Sequence, residues 1–307
     1  MSHSTRNQVP ITAQRQLHVV VPPLVDQQAI ACVLGALDDK IELNRRLNRA
    51  LAGMVRAIFQ SWFVDFDPVR AKAAGRAPAG LSPEIAALFP AAFDDSALGP
   101  IPEGWRTGSV LEIADLLSGG TPTTSEPSYW DGPIPWASAK DVSQCGEAFL
   151  LETERYITQA GLDNSATQII PALSSVVVAR GATTGRLTMF GADIAMNQTC
   201  YALRSKSGTP RFLYQLLIRE MDALVHAAHG SVFDTITTAT FRASRVCLPD
   251  LPIIQQFEKS VRGIFDLILN TQQQSRTLAA LRDALLPKLI SGELRVPDAE
   301  RIVGRAT

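Results

Sequence analysis

VPPLVDQQAI (residues 21–30) and RALAGMVRAIF (residues 49–59) decide the fold, because both return later in the same chain. Shifted by 227 positions without an insertion, residues 4–60 fall on residues 231–287. The first stretch then lies over LPDLPIIQQF (248–257) and the second over RTLAALRDALL (276–286). One structural unit is written twice.

Identity between the copies is partial, but the apolar rhythm that decides which face of a helix is buried is complete. In the first copy the steps alternate three and four through Leu34, Leu37, Ile41, Asn44, Asn48, Leu51, Val55 and Ile58. The second keeps that spacing through Val261, Ile264, Ile268, Thr271, Ser275, Leu278, Arg282 and Leu285. Even the polar interruptions coincide, Asn44 and Asn48 over Thr271 and Ser275. The spacing predicts two helices, each roughly 35–40 residues or about 55 Å long, with the seam of a coiled coil and a polar middle. Paired antiparallel, they would bury Leu34, Leu37, Ile41 and Leu51 with Leu278, Ile268, Ile264 and Val261, at about 25 cal/mol per Å². The two polar patches would then meet, since each is central in its own series; such a patch weakens a coil and fixes its register.

Proline marks the start of both copies. Pro22 and Pro23 precede the first helix and Pro249 and Pro252 open the second, where a residue without an N–H is tolerated. Pro287 is expected to bend or end the second helix near Asp283, ahead of a Ser291-Gly292 stop.

A chain of 307 residues has room for two domains, and 46% hydrophobic with 19% charged residues describes a globular protein rather than a disordered or fibrous one. MSHSTRNQVP lacks a basic region followed by an apolar core, and prolines or charges break every apolar stretch short of about 18 residues, which points to the cytoplasm and to no membrane. Cys32, Cys145, Cys200 and Cys247 are widely spaced with no C-x-x-C pair, so buried inert thiols are expected rather than a disulfide framework or a zinc knuckle. His226 and His229 stand alone among Ala and Leu without an acidic partner at helical spacing, and no metal is expected there. Formal net charge is -1. Between Leu98 and Asp250, 11 Lys and Arg face 15 Asp and Glu, so a DNA-binding role requires the cations to be gathered on one side or a partner to supply phosphate contacts.

Along the chain, QLHVVVPP (16–23) reads as a short strand entering the first helix, like SRVCLPD (244–250) before the second; residues 1–25 look like the end of a domain whose body is missing. The first helix is placed at 26–64 and a linker at 65–97, where FVDFDPVRAKAAGRAPAG is rich in Pro, Gly and small residues. Inside that linker LSPEIAALFP can form one short helix, with Ser82 as its cap and Pro83 at its first position. Residues 98–250 alternate short β-rich runs such as SSVVVAR with turns and one clear helix, PRFLYQLLIREMDALVHAA. The second helix is placed at 251–294 and a C-terminal tail at 295–307.

VPPLVDQQAIACVLGALDDKIELNRRLN, SWFVDFDPVRAKA and GPIPEGWRTGSVLEIADLLSGGTPTTSEPSYWDGPIPWASAKDV together resemble the specificity subunit of type I restriction-modification enzymes, over nearly the whole chain. The resemblance implies an α+β fold: one mixed α/β globular target-recognition domain at 98–250, plus two long helices pairing as an antiparallel coiled-coil spacer. The full subunit of that family has two recognition domains, whereas this chain holds one complete one. The implied role is sequence-specific recognition of double-stranded DNA, directing partner methyltransferase and restriction subunits. Those partners would bring S-adenosylmethionine, ATP and Mg, and a second copy or another half subunit would restore the second domain.

Reading a duplex needs amides and guanidinium groups at base edges, with small hydroxyl or glycine residues where backbone approaches phosphate. SGGTPTTS offers Gly119, Gly120, Thr121, Thr123 and Thr124 in an exposed turn, near Lys140. VVVARGATTGRL offers Arg180, Thr183, Thr184 and Arg186 around Gly181 and Gly185 in a loop between strands, and Asn197 and Gln198 follow. The glycines serve equally as positive-φ turn residues, Asn197 and Gln198 equally as partners of buried backbone, and Trp130 and Trp136 as packing. The sequence contains no NPPY or DPPY segment, no G-x-G fingerprint after a strand and no G-x-x-x-x-G-K-[ST] loop, so no catalysis and no cofactor is expected of this chain. The alternative is a truncated helical protein that binds the methyltransferase subunit without directing it to DNA.

Overall fold

The computed structural model describes residues 12, 15, 16, 20–229 and 235–306. The chain is two long helices with a mixed α/β body between them in sequence. In order, α1 (Leu24–Phe63), α2 (Asp67–Ala73) and α3 (Pro83–Ala87) lead to β1 (Phe93–Ser96), β2 (Gly99–Pro102), β3 (Arg106–Gly108), α4 (Val110–Ile113) and β4 (Ala114–Ser118). Next come β5 (Trp130–Ala137), α5 (Ala139–Gln144), β6 (Phe149–Leu150), β7 (Arg155–Ile157), α6 (Gln159–Asp163), β8 (Ile169–Ile170) and β9 (Ser175–Val178). The chain ends with β10 (Leu187–Phe190), β11 (Ile194–Met196), β12 (Cys200–Ser205), α7 (Pro210–His229), α8 (Thr238–Ala243), β13 (Val246–Leu248), α9 (Leu251–Ser291) and α10 (Val296–Ala306). Residues 4–11 and 231–234 of the two repeats lie outside the described residues, as do 17–19 of the expected entering strand; 20–23 form none. Among the described residues no helix is long and apolar enough to cross a membrane.

Contacts divide the chain into two compact units, residues 1–46 with 273–307 and residues 47–272, so each long helix contributes to both. In the first unit α1 and α9 run antiparallel. Arg282 Nη1 donates to Asp38 Oδ1 at 2.6 Å, and Asn44 Nδ2 donates to Gln274 Oε1 at 2.9 Å and to Ser275 Oγ at 3.2 Å, so one number rises as the other falls. Ile30, Val33, Leu37 and Ile41 bury against Leu278, Leu285 and Leu289, with Leu34 half-buried beside them. The residues expected as a tail form α10 instead: Val296, Ala299 and Val303, spaced three and four, pack on that same cluster, and Pro297 sits harmlessly in the first turn. Pro287 also departs from expectation, since α9 runs through it to Ser291. Pro287 faces solvent while its neighbours Leu285 and Leu289 are buried, so packing on both sides holds the helix across the missing hydrogen bond. Cys32 is exposed on α1, against the expectation of a buried thiol.

The second unit has the larger core. Leu51, Val55, Phe59, Trp62 and Phe63 of α1 meet Ile253, Ile254, Phe257, Val261, Phe265 and Ile268 of α9, with Phe89, Trp105 and Phe212. Ile264 packs on it partly buried. Thr271 Oγ1 donates to Asn48 Oδ1, the second polar pair of the seam. The expected helix-interface residues therefore divide: Leu34, Leu37 and Ile41 share a cluster with Leu278, while Leu51 shares one with Val261, Ile264 and Ile268. Phe59 takes the buried position expected of Ile58, and Val33 that of Leu34, because a helix of 3.6 residues per turn drifts off a strict heptad.

Among the described residues the strands form four sheets: β1–β2, β4–β12–β9–β10–β6, β7–β5–β11–β8, and β13–β3. Pairing is antiparallel except β10 with β6 and β11 with β5. The stretch expected as linker holds α2, α3 and β1; Ser82 caps α3 with Pro83 in its first turn, and β1 already pairs with β2 across residue 98. Val176, Val178, Phe190, Ile194 and Met196 fill a second core, and Trp130, Trp136, Ile157 and Ala195 a third.

Candidate nucleic-acid interface

Strand register gathers the singled-out stretches at one end of the five-stranded sheet. Ser118, the last residue of β4, stands opposite Tyr201 of β12, which stands opposite Val177 of β9, which stands opposite Leu187 of β10. The chain therefore leaves or enters this edge at 119–124, 179–186 and 197–199. The second mixed sheet joins there: Met196, the last residue of β11, pairs with Ala137, the last of β5, and Asn197 N donates to Ala137 O at 2.9 Å.

Gly119 and Gly120 are buried, not displayed in an exposed turn. A Cβ on Gly119 would lie 2.1 Å from Met196 O, and one on Gly120 2.5 Å from Ala166 C and Thr167 N, so glycine is required by the close passage of the chain's own backbone. Gly120 N donates to Met196 O at 2.9 Å, and Gln168 Nε2 donates to Ser118 O at 2.7 Å. Beyond them Thr121, Thr123 and Thr124 are exposed. Thr121 Oγ1 donates to Gln198 Oε1 at 2.5 Å, which joins two of the expected stretches directly. Asn197 is half-buried, and its Oδ1 accepts from Thr199 N at 3.2 Å and Thr199 Oγ1 at 2.7 Å, shaping its own turn.

The 180–186 loop is self-contained. Gly181 O accepts from Thr184 N at 3.1 Å and from Thr184 Oγ1 at 2.7 Å, while Gly185 N donates to Val178 O at 2.9 Å. Gly181 and Gly185 adopt φ of 95° and 88°, and a Cβ on Gly185 would meet Val225 Cγ2 at 2.5 Å. Thr183 and Thr184 are half-buried; Arg180 and Arg186 are exposed, with no carboxylate in salt-bridge distance among the described residues. Ile236 N donates to Ala179 O at 3.0 Å, which brings the segment before α8 to the same edge.

Lys140, on α5 just after β5, is exposed but its Nζ lies 2.5 Å from Glu154 Oε2, and that carboxylate raises its pKa. Its charge is thus matched within the protein. Cys200, at the start of β12, is buried and its thiol is pushed up to about 12 by desolvation, which makes it an inert packing residue. Arg155, which no sequence spacing singles out, lies exposed over Trp130 with its Cζ 3.4 Å from the ring centroid. Hydroxyls, amides and unpaired guanidinium groups thus share one edge, the donor and acceptor set needed to meet base edges and phosphates.

Comparison with known proteins gives the family and the fold. The specificity subunit of the type I restriction enzyme HindI of Haemophilus influenzae is 27% identical, over 94% of this chain and 71% of that protein. That of MjaIX of Methanocaldococcus jannaschii is 24% identical, over 92% of this chain and 62% of that protein. The chain has the fold of the S subunit of a type I restriction-modification system from M. genitalium, with a TM-score of 0.56 at 15% identity, over 87% of this chain and 61% of that one. It spans about two thirds of the length of these relatives. The family of type I restriction modification DNA specificity domains matches residues 102–278, more than half of the sequence, and the chain belongs to that family.

Proposed function

We propose that this chain is the sequence-specific DNA-recognition subunit of a type I restriction-modification complex and that it carries no catalysis of its own. The observation that carries this reading is the convergence of 119–124, 179–186 and 197–199 on one sheet edge in a chain of the specificity family. Contacts to double-stranded DNA are assigned to Thr121, Thr123, Thr124, Arg180, Thr183, Thr184, Arg186, Asn197 and Gln198, with Gly119 and Gly120 shaping the frame and Lys140 held by Glu154. The domain from 98 to 250 is the target-recognition domain, and the paired helices are the spacer and the surface gripped by the methyltransferase subunit. The restriction subunit joins the same assembly, and S-adenosylmethionine, ATP and Mg serve those partners. A second copy of this chain or another half subunit joins the assembly, where a two-fold arrangement would repeat this edge by symmetry.

The test is a gel shift of this chain alone and co-expressed with its methyltransferase subunit, with the mass of the complex measured in parallel. Sequence-selective binding by the complex, with two copies of this chain per assembly, is expected. Binding to no sequence in either state would defeat the reading.

A further inference from the structure

Two tryptophans brace the Thr-rich loop, and both lie beneath the same arginine. Trp130 and Trp136 meet edge to face with centroids 5.3 Å apart. Their indole N–H groups donate to Thr123 O at 3.2 Å and Gly120 O at 3.0 Å, so the pair is bolted to the loop between these carbonyls. The Arg155 guanidinium lies 3.4 Å from the Trp130 centroid and 5.8 Å from that of Trp136. The strand register places it there, Arg155 of β7 opposite Trp136 of β5.

The rings are buried while Arg155 is exposed. Glu154, the adjacent acid, is engaged by Lys140 at 2.5 Å, and no carboxylate among the described residues lies in salt-bridge distance of Arg155. Its charge is therefore unspent in a domain where acids outnumber bases. A guanidinium stacked on an indole keeps its N–H donors in one plane, and the stacking removes rotamer freedom before any ligand arrives. A phosphate can also take such a fork, but the backbone offers phosphate oxygens in many positions and orientations. A guanine edge, with O6 and N7 side by side, requires a planar fork in a fixed place.

From this geometry we propose that Arg155 is a base-reading residue of the interface, donating in bidentate fashion to a guanine in the major groove while Trp130 and Trp136 hold it in register with the 120–123 loop. This rests on the proposed DNA-recognition role.

The experiment uses the full chain in complex with its methyltransferase subunit. Mapping the bases methylated in cells that express the complex gives the recognised motif, and a duplex carrying that motif is the probe for gel shifts. Arg155→Ala is expected to weaken binding at least tenfold and to make the complex indifferent to replacement of one particular G·C pair in the motif. Arg155→Lys keeps a cation over the ring without the fork and is expected to lose the same discrimination, which a collapsed loop would not explain when its melting temperature matches wild type. The inference is overturned if Arg155→Ala binds the motif as tightly as wild type, or if binding falls equally at every sequence with no G·C pair becoming tolerated. A wild-type complex without any motif overturns the DNA-recognition reading itself, and this inference with it. A wild-type motif that survives Arg155→Ala unchanged overturns this inference alone.

Discussion

The 118–124 and 180–186 loops look alike as sequence, each a run of glycine and threonine beside a strand end, yet they are built on opposite principles. In the first, Gly119 and Gly120 are wedged against the backbone of Met196 and of Ala166–Thr167, and indole N–H groups hold the carbonyls of residues 120 and 123. In the second, the loop closes on itself through Gly181 and Thr184, its glycines sit at positive φ, and its arginines stand in solvent. One loop is part of the core's architecture, and the other carries charge on a turn of its own. Substitutions of the buried glycines in the first should register as lost stability, and charge substitutions in the second as lost binding.

The largest effect is expected at Gly119→Ala. Its Cβ would fall 2.1 Å from Met196 O, a backbone atom inside a sheet that cannot swing away. Such overpacking costs about 3 kcal/mol, roughly 6–12 °C of melting temperature for a domain of this size, and thermal denaturation checks it. A variant that melts like wild type would erase the distinction between the loops. Trp136→Phe keeps one aromatic ring but removes the pyrrole ring with the N–H that reaches Gly120 O at 3.0 Å, and the lost hydrogen bond alone costs about 1–3 kcal/mol. Gly181→Ala meets no atom within 4 Å, so only its φ of 95° resists the methyl group, and about 1–2 kcal/mol is expected in the same melting experiment.

How far this was legible in the sequence follows from where each signal resides. The helices were legible because their burial rhythm is local, and the meeting of the two polar patches followed from their central place in each series; the structure pairs Asn44 with Ser275 and Asn48 with Thr271. The exact seam was not, because drift between 3.6 and 3.5 residues per turn moves burial from Ile58 to Phe59. The helix at Val296–Ala306 had a visible three-and-four spacing, obscured by the Ser291-Gly292 stop ahead of it and by Pro297. Adjacent glycines at 119 and 120 signal a turn or a close approach equally well, and only the positions of Met196 and of Ala166–Thr167 decide between them. Arg155 gave no sequence signal at all: it lies in a three-residue strand, and sheet pairing alone brings it to the tryptophans.

The smallest effect on stability is expected of Arg180→Ala and Arg186→Ala, and it is also the most diagnostic. Both side chains are exposed and neither has a carboxylate partner among the described residues, so their removal should leave the stability read from thermal denaturation within about 0.5 kcal/mol of wild type. Binding by the complex should behave differently. Each lost phosphate contact reduces the slope of log affinity against log salt by about one, with affinity falling most at low salt. Lys140→Ala is the matched control, because Glu154 already neutralises that ammonium at 2.5 Å; its salt slope should stay at the wild-type value. If Lys140→Ala flattens the slope while the two arginine variants do not, the cations that face DNA lie on α5 rather than on the 180–186 turn, and the binding role given to that loop must be withdrawn.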